Sequence, residues 1–283
     1  MSAETMTIGL SSCPNDTYIF HALLHGLVPA PAPLASHMAD VEELNGLARR
    51  KRLPVSKISL GVIPYIMDDY AILSSGAALG WGCGPLVVAR EALPESAWKN
   101  ARVAIPGLMT TANLLLDLHG GFQGPRQDML FSDVMDAVIS GRADIGVIIH
   151  EGRFTYGEHG LVKLLDLGQW WESVYRAPLP LGAIAVRRDV PAATARAVQD
   201  AIRQSLDYAN AHPDASREYI RACAQELSDE VTQAHIRTFV TDFSRDLGPD
   251  GRSAIERLVG RAAATLGRPL PADGLFLNQD RDA

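Results

Sequence analysis

The sequence predicts an α/β protein, and three observations predict it. Short apolar runs alternate with stretches of helical spacing along most of the chain, the pattern of strands joined by helices into a parallel sheet. At 283 residues the chain is nearly twice the ~150-residue domain prior, which allows two lobes or one large domain. Apolar residues make up 47% and charged residues 21%, so disordered, collagen-like and coiled-coil classes are disfavoured.

Residues 7–11 form a β-prone run that stops at Ser12-Cys13-Pro14-Asn15-Asp16, after which Tyr18, Ile19, Phe20, Leu23 and Leu24 recur at helical spacing. Residues 34–39 repeat the idea: a strand runs into Asp40 as a helix cap, and Leu44, Leu47 and Ala48 make an apolar face. Residues 55–60 are a third strand, followed by an apolar stretch over 61–67 and a short run over 70–73. Gly76, Gly80, Gly82 and Gly84 permit tight turns before an extended run over 85–90, but they lack the order of a phosphate loop. Residues 102–106 predict a strand that meets Gly107 and the polar turn Thr110-Thr111-Ala112-Asn113, with a helix beyond it. Residues 134–140 are helical in pattern and closed by Gly141, and a buried strand over 143–149 delivers His150 and Glu151 at its C-terminal end. Residues 179–187 predict a further strand. Beyond them the sequence turns Ala-rich, charged and helical over 192–212, 213–226 and 228–243. No flexible linker or fixed-period repeat separates these parts, so two lobes would be joined by crossing strands with a cleft between them.

The formal net charge of −7 opposes the basic field of a general nucleic-acid binder. No signal-peptide pattern opens the sequence and no uncharged run approaches the ~20 residues that span a bilayer, so no membrane association is expected and the cytoplasm is the expected compartment. Cys13, Cys83 and Cys223 are odd in number and widely spaced, which predicts free thiols rather than a disulfide framework or zinc ribbon.

His150 is the strongest single candidate for chemistry. An imidazole with an ordinary pKa of ~6.5 accepts a proton near neutrality, and the C-terminal end of a strand is where α/β proteins place ligand chemistry. Glu151 could orient the ring, although adjacent strand residues point to opposite faces. The segment lacks the second histidine of H-E-x-x-H, and His21 and His25 lack a third ligand, so no metal is expected. Thr110 and Thr111 stand before a helix whose free amides could hold an anion, or cap that helix, or both. Lys57 and Ser59 share a strand face and could offer a cation and a hydroxyl to one cleft, with a solvated rim charge as the alternative for Lys57. Trp170 and Trp171 either cover a ring-bearing ligand or, as is commoner, pack the core. No G-x-S-x-G elbow supports a serine hydrolase.

Taken in order, Ser11-Ser12-Cys13-Pro14-Asn15-Asp16-Thr17, Asp40-Val41-Glu42, Lys57-Ile58-Ser59, Gly84-Pro85-Leu86, Pro106-Gly107, Thr110-Thr111-Ala112, Ile148-Ile149-His150-Glu151-Gly152-Arg153 and Trp170-Trp171-Glu172 resemble the 1,4-dihydroxy-6-naphthoate synthase family of the futalosine route to menaquinone. The likeness runs on through Pro180-Leu181-Gly182 to Ala224-Gln225-Glu226-Leu227-Ser228 and so covers nearly the whole chain. The resemblance implies a two-lobed fold like type II periplasmic binding proteins, with mixed, mainly parallel sheets and a helical C-terminal region. Residues 1–88 and 186–283 would form a larger discontinuous domain and 89–185 a smaller inserted one. It implies a carbon–carbon lyase acting on cyclic dehypoxanthinyl futalosine without metal or organic cofactor. His150 would be the proton acceptor, and Lys57, Ile58, Ser59, Thr110, Thr111 and Ala112 the substrate contacts. The alternatives are a solute-binding protein of the same fold and the related chorismate dehydratase.

Overall fold

The computed structural model describes residues 5–224 and 228–277. Two sheets carry the molecule. The first has the order β2-β1-β3-β11-β4, with β5 also paired to β11. It begins with β1 (Met6–Leu10), α1 (Pro14–Leu24), β2 (Leu34–Met38), α2 (Val41–Arg49) and β3 (Val55–Ser59). β1 runs parallel to both β2 and β3, as the strand–helix alternation requires. A short helical segment containing α3 (Ile63–Ile66) leads to β4 (Tyr70–Ile72) and β5 (Ala78–Gly80).

The chain then crosses to the second sheet, ordered β10-β6-β9-β7-β8. Its elements are β6 (Leu86–Ala89), α4 (Glu95–Trp98), β7 (Val103–Ile105), α5 (Thr111–His119), β8 (Arg126–Asp128), α6 (Asp133–Ile139), β9 (Ile145–Ile148), α7 (Gly152–Thr155), β10 (Val162–Asp166) and α8 (Leu167–Tyr175). β7 is parallel to β8 and β9, whereas β6 is antiparallel to β9 and β10. The nine-residue β11 (Leu179–Arg187) returns to the first sheet, antiparallel to β3, β4 and β5. Both sheets are therefore mixed, and the strands that adjoin the crossings, β6 and β11, run antiparallel to their neighbours.

Helices α9 (Ala192–Ala211), α10 (Arg217–Cys223), α11 (Asp229–Phe239), α12 (Asp242–Arg245) and α13 (Gly248–Thr265) complete the chain, and Phe276 bridges back to Ile72 of β4. The part of the 213–226 helix beyond Ala224, and residues 225–227 of the motif that ends at Ser228, lie outside the described residues. The anticipated lobe boundaries at 88/89 and 185/186 fall inside β6 and β11, and among the described residues β6 pairs within the second sheet and β11 within the first. A single apolar cluster also runs from Ile58 and Ala183 of the first sheet to Val87, Val103 and Val147 of the second. No helix among the described residues is long and apolar enough to cross a membrane.

Candidate active site

The sheet crossings converge on a cleft with about 690 Å³ of free space, counting its open mouth. His150, Lys57, Ile58, Ser59, Thr110, Thr111 and Ala112 all line it, so residues spread over nearly a hundred positions meet in one place.

The loop before α1 is braced from within. Pro14 occupies the first turn of α1, where its missing N–H costs nothing. Asp16 is buried, accepts from the Ser11 amide (3.2 Å) and hydroxyl (2.7 Å), accepts from Asn15 Nδ2 (2.9 Å), and pairs with Lys57 Nζ at 2.5 Å. Lys57 is thus a buried, partnered cation rather than a solvated rim charge, and two of its three donors remain beyond the Asp16 bond. The Asp40-Val41-Glu42 stretch has an equally local logic. Asp40 caps α2 by accepting from the Glu42 amide at 2.8 Å, Val41 faces the cleft, and Glu42 accepts from the Met109 amide at 2.9 Å, fixing the loop before α5. Asn45 then ties this helix to Ser59 by accepting from its amide and donating to its hydroxyl.

The threonine hydroxyls are already engaged. Thr110 Oγ1 caps α5 by accepting from Asn113 N at 3.2 Å and donates to Gly107 O. Thr111 Oγ1 accepts from the amides of Leu60 and Gly61 and donates to Leu181 O at 2.5 Å, joining α5 to the turn after β3 and to β11. The groups left to face a ligand are the first-turn amides of α5 at Thr111 and Ala112, which have no intrahelical acceptor.

His150 follows β9 with φ +54°, a left-handed backbone that side-chain-bearing residues seldom adopt and that concentrates at functional sites. Its ring has some surface in the cleft but is otherwise enclosed by protein, and this desolvation lowers its pKa against the opposing pull of Glu151. The imidazole is therefore neutral near pH 7 and free to take a proton. Cys13 Sγ lies 3.4 Å from His150 Nδ1, and Phe131 packs edge-on at 4.9 Å between centroids. Burial, and then the Glu151 carboxylate, push the Cys13 thiol far up, so Cys13 is held as a thiol and is not a thiolate nucleophile.

Two residues next to His150 were not singled out by their place in the sequence. His235 of α11 stacks on it with ring centroids 6.0 Å apart, and Cys13 carries no motif of its own. Only the inclusion of Cys13, Asn15 and Asp16 in the first family motif signalled that segment; nothing in the sequence pointed to His235. The other candidates stand elsewhere. Trp171 is fully buried and donates to Pro178 O, while Trp170 packs on His119 and Tyr175, so the pair builds the core around α8. His21 and His25 pack at a tilt against each other and against Tyr219. Among the described residues no group of three or more His, Cys, Asp or Glu could hold a metal ion, and the three cysteines are free thiols.

A family model described as menaquinone biosynthesis matches residues 6–264. A 1,4-dihydroxy-6-naphthoate synthase of Thermus thermophilus is 47% identical over 269 residues, spanning 95% of this chain and 98% of that protein. Among solved structures, a protein of Archaeoglobus fulgidus is similar with a TM-score of 0.87 at 32% identity, covering 93% of this chain and 98% of that one. The periplasmic aliphatic sulphonate binding protein of Escherichia coli is similar with a TM-score of 0.66 at 11% identity, over 95% of this chain and 89% of that one, which speaks to fold alone. A fold of periplasmic-binding-protein type accompanies identity of this extent, and the match over residues 6–264 with that identity assigns the chain to the menaquinone-biosynthesis family of 1,4-dihydroxy-6-naphthoate synthases, carbon–carbon lyases.

Proposed function

We propose that the cleft converts cyclic dehypoxanthinyl futalosine to 1,4-dihydroxy-6-naphthoate in the cytoplasm, with His150 as general base. The observation that carries this reading is a neutral, desolvated imidazole facing the cleft from the end of β9. Releasing a side chain so that a naphthalene ring forms requires removal of a C–H proton and stabilisation of enolate-like charge. His150 takes the proton. The Lys57 ammonium and the first-turn amides of α5 at Thr111 and Ala112 face the developing charge, while Ile58, Ser59 and Thr110 shape the same wall. The C–H electron pair passes into the aromatising ring, the broken C–C bond leaves its pair on the departing fragment, and one proton returns to that fragment. No oxidant or co-reactant is needed. The two lobes in this reading divide by sheet, so that residues near 81–85 and 167–178 form the crossings and the cleft lies between.

The test is incubation of the purified protein with that substrate, following the naphthoate by absorbance and mass. His150→Ala is expected to bind substrate with near wild-type affinity and to lose turnover by at least about a hundredfold. Wild-type-like conversion by that variant would remove the base, and binding without any conversion by the unaltered protein would leave a capture role instead.

A further inference from the structure

The base has a buried polar neighbourhood that substrate binding does not account for. Glu151 borders a shallow recess with Cys13 and Phe131 rather than the main cleft. Its Oε2 lies 3.9 Å from Nδ1 of His235, a residue only 1% exposed.

The protonation of His235 follows from its partners. Asp16, paired with Lys57, can only accept, so Asn15 must turn its NH2 toward Asp16 and its Oδ1 toward His235 Nε2, 3.1 Å away. That nitrogen therefore carries the proton. In the neutral ring Nδ1 then holds a lone pair, and it has no hydrogen-bond partner among the described residues. The lone pair and the Glu151 carboxylate therefore face each other as two acceptors 3.9 Å apart. The His235 ring also lies nearly parallel to His150, at 10°, so charging both imidazoles sets like charges against each other.

We propose that Glu151 and His235 are positioning residues that act as one counter-charge unit for His150: His235 stays neutral, and the Glu151 carboxylate balances the imidazolium formed when His150 takes the substrate's proton. This inference rests on the reading of His150 as base. The groups facing His150 are Glu151 beside it, Asp40 before α2, Asp16 of α1, Lys57 of β3, Cys13 and His235. Cys13 is a neutral thiol, and Asp16 is paired with Lys57. Burial lowers the His150 pKa most, and among the charges Glu151 opposes that most, followed by Asp40 and Asp16, with Lys57 acting the other way. Burial holds the His235 pKa well below the ordinary imidazole value, with His150 and Lys57 adding to the effect.

The experiment compares Glu151→Gln and Glu151→Asp with the unaltered protein by NMR titration of the His150 Cε1–H resonance, assigned by its loss in His150→Ala, and by steady-state kinetics across pH. Glu151→Gln is expected to move the His150 midpoint, and with it the acid limb of the kcat profile, to lower pH. It is also expected to lower kcat by about tenfold with KM changed less than about twofold. Glu151→Asp, which keeps the charge, is expected to return the midpoint toward that of the unaltered protein. An unmoved midpoint in Glu151→Gln, or an Asp variant that behaves as the Gln one, overturns the proposal; Glu151→Ala serves the same comparison should the Gln variant not fold. If Glu151→Gln shifts the midpoint while His150→Ala still turns over, the electrostatic coupling stands and the base reading fails.

Discussion

At the scale of single residues, the site separates into groups that touch a ligand and groups that hold them still. Lys57 does both, because its ammonium faces the cleft while neutralising the buried Asp16 carboxylate. Removing the cation leaves Asp16 with donors from Ser11 and Asn15 but no counter-charge in a desolvated place. Lys57→Met is therefore expected to destabilise the fold by about 3 kcal/mol in addition to weakening substrate binding, since breaking one side of a buried pair strands the other. Pairing it with Asp16→Asn should recover part of that stability, because the stranded charge is gone. Losses that simply add across Lys57→Met, Asp16→Asn and the double variant, measured by denaturant unfolding, would show that the pair is not coupled. The placement of His150 and Lys57 at a strand end and on a strand face was legible in the sequence because both follow simple periodicities. His235 was not, because it lies 85 positions downstream on an amphipathic helix that offers no sign of which buried polar residue it will meet.

At the scale of elements, strands buried on both faces announced themselves, and the two edge strands of the second sheet did not. β3 and β9 are wholly buried and read as continuous strand candidates. β8 is the polar triplet Arg126–Asp128 at a sheet edge, and β10 is largely exposed over its first residues, so neither shows an apolar run. The glycines before β6 were legible as backbone signals, but Gly84 serves close packing more than turning. Gly84 abuts Gly168 at the start of α8, and a Cβ on Gly168 would lie 2.8 Å from the Gly84 backbone. Asp166 caps α8 through the Gly168 and Gln169 amides, and Arg153 reaches Asp166 at 3.1 Å and the carbonyl oxygens of Gly82 and Gly84, so the contact fixes one wall of the cleft. Gly168→Ala is expected to cost about 3 kcal/mol or more, because backbone rather than a movable side chain must give way. Gly157→Ala, where an added methyl meets nothing, should stay within about 0.5 kcal/mol. Urea denaturation of the two variants checks the contrast, and similar stabilities would mean the α8 junction can yield.

At the scale of the whole molecule, the alternation of strands and helices made an α/β fold legible, but the sequence did not reveal that one apolar cluster joins the two sheets. Strands such as β11 are apolar on both faces, and nothing local states which sheet will receive them. The closeness of the sheets encloses polar groups that water would otherwise reach, and this makes global stability depend on pH. His235 is the clearest case: it is buried, donates through Nε2 to Asn15, and has its pKa held well below the ordinary value of about 6.5. In the unfolded chain that imidazole binds a proton as the pH falls through about 6.5, whereas in the folded protein it does not until the pH is well lower. The unfolded state then binds more protons, so stability is complete above that value and falls as the pH drops below it. Burial lowers the pKa of His150, His21 and His119 as well, so the acid-side loss is shared among several rings. The melting temperature is expected to fall between about pH 7.5 and about pH 5.5, and His235→Phe to reduce that fall even though it removes the Asn15 hydrogen bond and lowers stability at both pH values. The slope is the readout, because a lost packing contact or hydrogen bond shifts both melting points together, and only removal of a titrating group changes their difference. Equal falls in the two proteins would mean that the His235 ring accepts its proton in the folded state as readily as in water, and the burial argument for a neutral His235 beside His150 would fail with it.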